Sequence, residues 1–213
     1  MYRAFHLVRL VSPRPTLLKR VRTAIGMLLS FDLLARGGDL PLADIQELRE
    51  PKPGQRGAAA AWTLTLFPVT AVRKSKTLRQ DLTHPIGGSH PDRTWLSKLC
   101  PLLRLKRRSH DRGLLSMTLS DYNQMVALSS KLTGLAKMTP HQLRHGGASA
   151  DALNGNSDMA IQERGNWASE KSVLRYRSAG RYLRSLNRLS NQQTLSAQSY
   201  PDQIVALCRC HLS

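Results

Sequence analysis

Acidic residues are scarce in this chain. Asp and Glu number 14 against 32 Lys and Arg over 213 residues, and the first 31 residues contain no acid at all. The formal charge is +18. An excess of that size attracts polyanions, with nucleic acid the first candidate and an anionic membrane surface the second. Cysteine is also sparse. Cys100, Cys208 and Cys210 make an odd count in a chain of this length, which excludes a disulfide framework and points to a reducing compartment. The C-terminal "CRCH" lacks a second ligand pair, so no zinc site is expected there. No apolar run approaches the roughly 18 residues needed to cross a bilayer. Internal repeats, low-complexity tracts, glycine-rich phosphate loops and carboxylate clusters are all missing as well.

What is present is enough for one folded domain with tails, since 41% of the residues are hydrophobic. Residues 16–34, "TLLKRVRTAIGMLLSFDLL", place apolar side chains at helical spacing, with Thr16 as the expected N-cap. Gly37 and Gly38 break that helix, which then resumes briefly, and "PKPGQRGA" reads as a loop. "AWTLTLFPV" alternates and reads as a strand, "AVRKSKTLRQDLTHPI" as one or two more around a turn, and "GGSHP" as a second loop. Beyond it the pattern is helical. "DRTWLSKLCPLLRLKRR" is interrupted by Pro101, and "SDYNQMVALSSKLTG" runs from Ser120 as N-cap to Gly134 as stop. "TPHQLRHGGASADAL" opens with Thr139 as N-cap and Pro140 at the first helical position, "DMAIQERG" is short, and residues 169–190 form one long basic helix. The fold class is therefore α+β, mainly α-helical with a small antiparallel sheet of about three strands.

The helix beginning at Thr139 carries the first candidate chemistry. His141 and Arg144 are three residues apart, on one face and near the positive end of the helix dipole. An imidazole, a planar guanidinium and unpaired backbone N–H groups around one spot suit a phosphate. The pair reads equally well, on its own, as a helix-end histidine beside a salt-bridging arginine. His145 lies in the same turns as a supporting residue. Gly146-Gly147 inside a helix is expected to let another backbone come close. From Lys171 to Arg188 the charged residues are Lys171, Arg175, Arg177, Arg181, Arg184 and Arg188, with no acid among them. Leu183, Leu186 and Leu189 mark the expected packed side. Tyr176 sits among these cations, where a phenolate and an attacked phosphate would both be stabilised.

Taken together, "SFDLLARGGDLPLADI" and "TPHQLRHGGAS…ERGNW…SVLRY" resemble the catalytic domain of tyrosine recombinases, the phage-integrase family. The resemblance covers residues 17–185, leaving 1–16 as a basic lead-in and 186–213 as a C-terminal tail. That family carries an early Arg, a hairpin Lys, His-x-x-Arg, a His or Trp, and a nucleophilic Tyr about nine residues later. The matching positions are Arg36, Lys76, His141, Arg144, Trp167 and Tyr176, all in the family's order. Lys74 is an alternative to Lys76, and Tyr182 is a decoy for Tyr176. Asp39 takes the place of the family's Glu, and Asn166 stands where its Gly-His begins.

The resemblance implies a DNA breaking-rejoining core that cleaves double-stranded DNA through a 3′-phosphotyrosyl intermediate, with no cofactor and no metal. Arg36 and Arg144 would hold the phosphate oxygens, Lys76 would protonate the leaving oxygen, and Asp39 would orient Arg36. Lys74, Lys171, Arg175, Arg177 and Arg181 would meet the DNA backbone. In the family such a tail docks on a neighbouring subunit, which implies a homo-oligomer on DNA, in a nucleus or a bacterial nucleoid. The family also has an N-terminal helical domain that completes a clamp. Here about 15 residues precede the first catalytic-domain helix, so an inactive DNA-binding relic of a mobile element is the second reading. A type IB topoisomerase-like enzyme is a third, and a basic helical nucleic-acid-binding protein without chemistry is the plainest.

Overall fold

The computed structural model describes residues 14–54, 60–67, 82–88, 90–105, 107, 111–132, 138–195, 199, 203 and 205–206. The first helix, α1, spans Arg14–Asp32 and is the centre of the fold. Every residue from 21 to 30 is buried, so the helix is enclosed on all sides, as expected of a core rather than a surface helix. Thr16 lies inside α1 and is not its N-cap. The helix stops at Asp32, before the glycines, because Leu34 turns left-handed at φ 50° and the Ala35 N–H reaches back to the Ser30 carbonyl at 3.2 Å. A left-handed leucine costs on the order of 1–2 kcal/mol, so the surroundings must over-determine this turn.

A 3₁₀ turn at Ile45–Glu47 leads into the strand β1, Leu48–Arg49. β2 is Thr63–Leu66 and β3 is Leu82–Pro85. The sheet is antiparallel in the order β1-β2-β3, with Leu64 opposite both Leu48 and His84. β1 lies in what reads from sequence as the resumed helix, and two residues are too few to show alternation. Leu48, Leu64 and Leu66 join the core built around α1. Lys74 and Lys76 lie in segment 68–81, and Gly134 in segment 133–137, both outside the described residues.

The stretch expected as a helix interrupted by Pro101 is instead a 3₁₀ helix, Pro91–Leu99, running into the short α2, Cys100–Leu103. Pro101 sits in the first turn of α2, where its missing N–H costs nothing. α3 is Leu119–Leu132. Its cap is Thr118, not Ser120: the Thr118 hydroxyl accepts the Asp121 N–H at 3.0 Å, and the Asp121 carboxylate accepts the Thr118 hydroxyl at 2.8 Å.

The next helix, α4, spans Pro140–Leu153 and opens with the expected cap. Thr139 and Gln142 form a reciprocal capping box with Pro140 in the first turn. α4 crosses α1 closely. A Cβ at Gly147 would fall on the Phe31 carbonyl oxygen and press on Leu34, which explains a glycine inside this helix. α5 is Asp158–Gly165, capped by Ser157.

The long basic helix expected over 169–190 is two helices, α6 at Glu170–Tyr176 and α7 at Ala179–Leu186. The break has a cause. Arg177 and Ser178 leave helical geometry, and the Ser178 N–H is taken by the Ser149 hydroxyl of α4 at 2.9 Å. The leucines expected to pack do not fully do so: Leu183 is 44% and Leu186 42% exposed. Val205, in the tail, packs against this chain's own core. No described helix is long and apolar enough to cross a membrane.

Candidate active site

A second, smaller core of Leu34, Ala148, Ile161, Trp167 and Val173 lies between α4, α5 and α6, with Tyr176 packed against it. Burying each of these larger aliphatic side chains contributes roughly 1.5–3 kcal/mol, so this cluster is a firm floor. Tyr176 packs against it, and the Arg144 guanidinium lies over its Trp167 ring.

Arg36 and Asp39 occupy the tight turn after α1. The Asp39 carboxylate accepts the Arg36 backbone N–H at 2.8 Å, and the Asp39 N–H bonds the Arg36 carbonyl at 2.9 Å. Asp39 thus fixes Arg36 through its backbone. Arg36, Asp39, Arg144, Arg164, Asn166 and His84 line one shallow cleft.

Arg144 is 2% exposed. Its Nη1 donates to the Leu34 carbonyl at 2.6 Å and its Nη2 to the Gly165 carbonyl at 2.5 Å. The strained Leu34 turn therefore supplies one of the two acceptors that hold this guanidinium, while Nε is buried with no hydrogen-bond partner among the described residues. Desolvation, and then the Arg36 charge, draw its pKa down to about 10, which leaves it cationic at neutral pH. The guanidinium carbon lies 4.4 Å from the centre of the Trp167 ring and 5.3 Å from that of Tyr176, within cation–π range.

Tyr176 is the last residue of α6. Its ring centre is 4.7 Å from Trp167, 5.3 Å edge-on from His141 and 4.3 Å from His145, with which it stacks at 22°. The His145 and His141 Nε2 atoms are 3.2 Å apart, and His145 Nδ1 is 3.2 Å from the Tyr176 carbonyl. Trp167 is buried, and the residue before it, Asn166, is left-handed at φ 49° as the C-cap of α5. Asparagine is among the few non-glycine residues that tolerate this conformation, so Asn166 can fill a position where glycine is usual. Tyr182, the decoy, is half-buried over Gly146, and burial raises its pKa.

The expected DNA contacts divide. Lys171, Arg175 and Arg181 are exposed, whereas Arg177 pairs with Asp158 at 2.7 Å. Sequence reasoning missed a buried charge cluster behind the site. Asp151, wholly buried on α4, accepts from Arg93 at 3.2 Å and from Arg164, and Arg93 also lies 3.6 Å from Asp32. Arg164 donates as well to the Asp32 carbonyl. Asp32 in turn accepts the Gly87 N–H at 2.8 Å. The described residues contain no group of three or more side chains able to hold a metal.

This is a tyrosine-recombinase-like fold: a mainly helical α+β domain with a three-stranded antiparallel sheet. The solved XerA recombinase is similar to it at a TM-score of 0.56 and 16% identity, over 93% of this chain. The chain spans 62% of the XerA chain's length. No protein-family model and no curated protein matches it.

Proposed function

We propose that this chain breaks and rejoins double-stranded DNA through a covalent 3′-phosphotyrosyl bond at Tyr176. The observation that carries the reading is convergence. His141, Arg144, Trp167 and Tyr176 come from three separated stretches of chain and meet in one aromatic and cationic cluster, and Arg36 lines a cleft with Arg144. A helical nucleic-acid-binding protein without chemistry has no need of that meeting.

In this reading the Tyr176 oxygen attacks phosphorus in line, the bond from phosphorus to the 5′-oxygen breaks, and the phenolic proton passes to solvent water. The leaving 5′-oxygen gains a proton from Lys76, leaving a free 5′-hydroxyl. Arg36 and Arg144 neutralise the non-bridging oxygens with paired N–H donors, and His141 contributes a hydrogen bond. Trp167 packs the site around them. The phosphotyrosyl ester conserves the energy of the broken bond, so a second hydroxyl can reverse or exchange it. DNA is the partner, drawn by the +18 charge.

One observation favours the second reading, a DNA-binding relic. Both terminal nitrogens of Arg144 already donate to backbone carbonyls, which leaves their second N–H groups and Nε–H for a phosphate on a side chain that is only 2% exposed. The experiment that separates the readings uses DNA carrying a nick or a 5′-bridging phosphorothiolate, without metal. A covalent protein–DNA band that resists SDS and is absent in Tyr176→Phe supports the enzyme. Salt-sensitive binding with no band, even when an N-terminal clamp domain is added, supports the relic.

A further inference from the structure

The backbone around Tyr176 is fastened to a single neighbour. Its carbonyl is an orphan acceptor at the end of α6 and faces His145 Nδ1 at 3.2 Å. Two residues on, the Ser178 N–H is held by Ser149. Both anchors project from α4, which also carries His141 and Arg144.

The protons in this arrangement can be assigned by elimination. A carbonyl oxygen only accepts, so His145 Nδ1 must bear hydrogen. In a neutral imidazole the other nitrogen then holds a lone pair. The Nε2–Nε2 contact with His141, 3.2 Å long, needs one hydrogen between the two atoms. His145 Nε2 cannot supply it, so His141 Nε2 does. Of two histidines one turn apart on one helix, His145 is therefore the Nδ1–H tautomer, fixed by the Tyr176 carbonyl, and His141 carries hydrogen on Nε2, fixed by His145.

We propose that His145 is a positioning residue of this site, holding the Tyr176 backbone through Nδ1–H and keeping His141 as the Nε2–H donor that meets an incoming phosphate. The chemical consequence rests on the phosphotyrosyl reading, whereas the geometry does not. A phosphodiester oxygen is anionic and accepts more strongly than a neutral imidazole. The His141 N–H therefore passes its hydrogen bond from His145 to a non-bridging oxygen when DNA arrives. No proton changes owner in that exchange, and the bond from His145 to the Tyr176 carbonyl is undisturbed. The stacking of His145 on the Tyr176 ring at 4.3 Å adds to the same hold.

The relay requires a neutral His145, because a second N–H facing His141 would repel it. The surroundings favour that state. Burial lowers the His145 pKa most strongly, the hydrogen bond to the Tyr176 carbonyl opposes it, and His141, Arg181 and Arg144 each add a smaller lowering. His141 and Arg144 face it from α4, Arg181 from α7 and the Tyr176 phenol from α6.

The test has two arms. Nitrogen-15 spectra of the free protein report each tautomer directly and need no DNA. Nδ1–H at His145 with Nε2–H at His141 is the expected result, and any other pairing overturns the proposal, whatever the covalent chemistry does. The second arm compares His145→Gln, whose carbonyl can reach the Nε2 position, with His145→Asn, whose amide can reach only the Nδ1 position. Covalent-complex formation at pH 7.5 is expected to fall about tenfold to a hundredfold in His145→Asn, within the usual range for such groups. In His145→Gln it should fall by less, with DNA affinity held within about twofold in both. The wild-type rate should decline only below pH 6.5, and this acid limb should vanish in both variants. Equal rates in the two variants, or an acid limb that survives in them, would refute the role. Failure of the wild type to form any covalent complex would instead refute the phosphotyrosyl reading, leaving the tautomer arm to decide this one.

Discussion

Replacing Asp151 with Asn should destabilise the protein by about 3 kcal/mol, the lower end of what breaking one member of a buried ion network costs. Asp32 and Asp151 face Arg93 and Arg164, two of each sign, with Arg93 and both carboxylates almost wholly buried. Burial pushes the Asp151 carboxyl up despite both guanidiniums, so its ionisation in the fold is costly in itself. The loss in Asp151→Asn therefore comes mainly from two cations left facing one anion away from water. For a chain of this size about 3 kcal/mol corresponds to a fall of roughly 6–12 °C in melting temperature. The assay is thermal unfolding followed by circular dichroism, for Asp151→Asn, Arg164→Gln and the double variant. Removing one charge of each sign restores balance, so the double variant should recover roughly 0.5–3 kcal/mol relative to the summed single losses. A single-variant melting temperature within about 1 °C of wild type, or strict additivity in the double variant, would refute the account. The effect should also reach the site, because Arg164 precedes the Gly165 carbonyl that holds Arg144.

Three further outcomes follow from the same structure. Gly147→Ala gains about 1 kcal/mol of helix propensity but forces α4 off the Phe31 carbonyl. A net loss of roughly 1–3 kcal/mol is expected in urea unfolding, and an unchanged midpoint would mean the crossing is looser than described. His84 is half-buried with its pKa lowered to about 4, by burial first and Arg164 second. The folded state therefore binds this proton more weakly than the unfolded chain. Stability is full above pH 6.5 and falls toward pH 4 by on the order of 2 kcal/mol, and His84→Gln should flatten that part of the pH–stability curve. Asn166→Gly should be tolerated at the left-handed C-cap, whereas Asn166→Ala should cost about 1 kcal/mol in thermal unfolding; equal effects would show that the backbone conformation is not what selects asparagine there.

The elements legible in the sequence were those whose signals are local. Helix periodicity over 16–34, the Thr139-Pro140 cap and the alternation in "AWTLTLFPV" each report on residues a few positions apart, and each element formed. The spacing of His141 and Arg144 likewise put both on one helix, and Gly147 gave away a close crossing. A local cue to the break after Tyr176 was present as well. Ser178 followed by Ala179 and Gly180 is a poor helix interior and a fair new start, but an unbroken basic stripe outweighed it. β1 left almost no trace, because a two-residue strand exists only through its pairing with β2.

The sequence by itself determined the helical α+β class, the basic surface and the order of the candidate residues. Tertiary structure alone decided how His141, Arg144, Trp167 and Tyr176 meet. The hold on Arg144 depends on Leu34, 110 positions away, and the charge cluster joins Arg164 to Asp32 across 132 positions. Helix and strand periodicities extend only a few residues and carry no information at such separations. A buried charge in particular looks like a surface charge until the chain closes around it. The turn that places Tyr176 beside Trp167 and His145 exists because α4 supplies partners for its backbone.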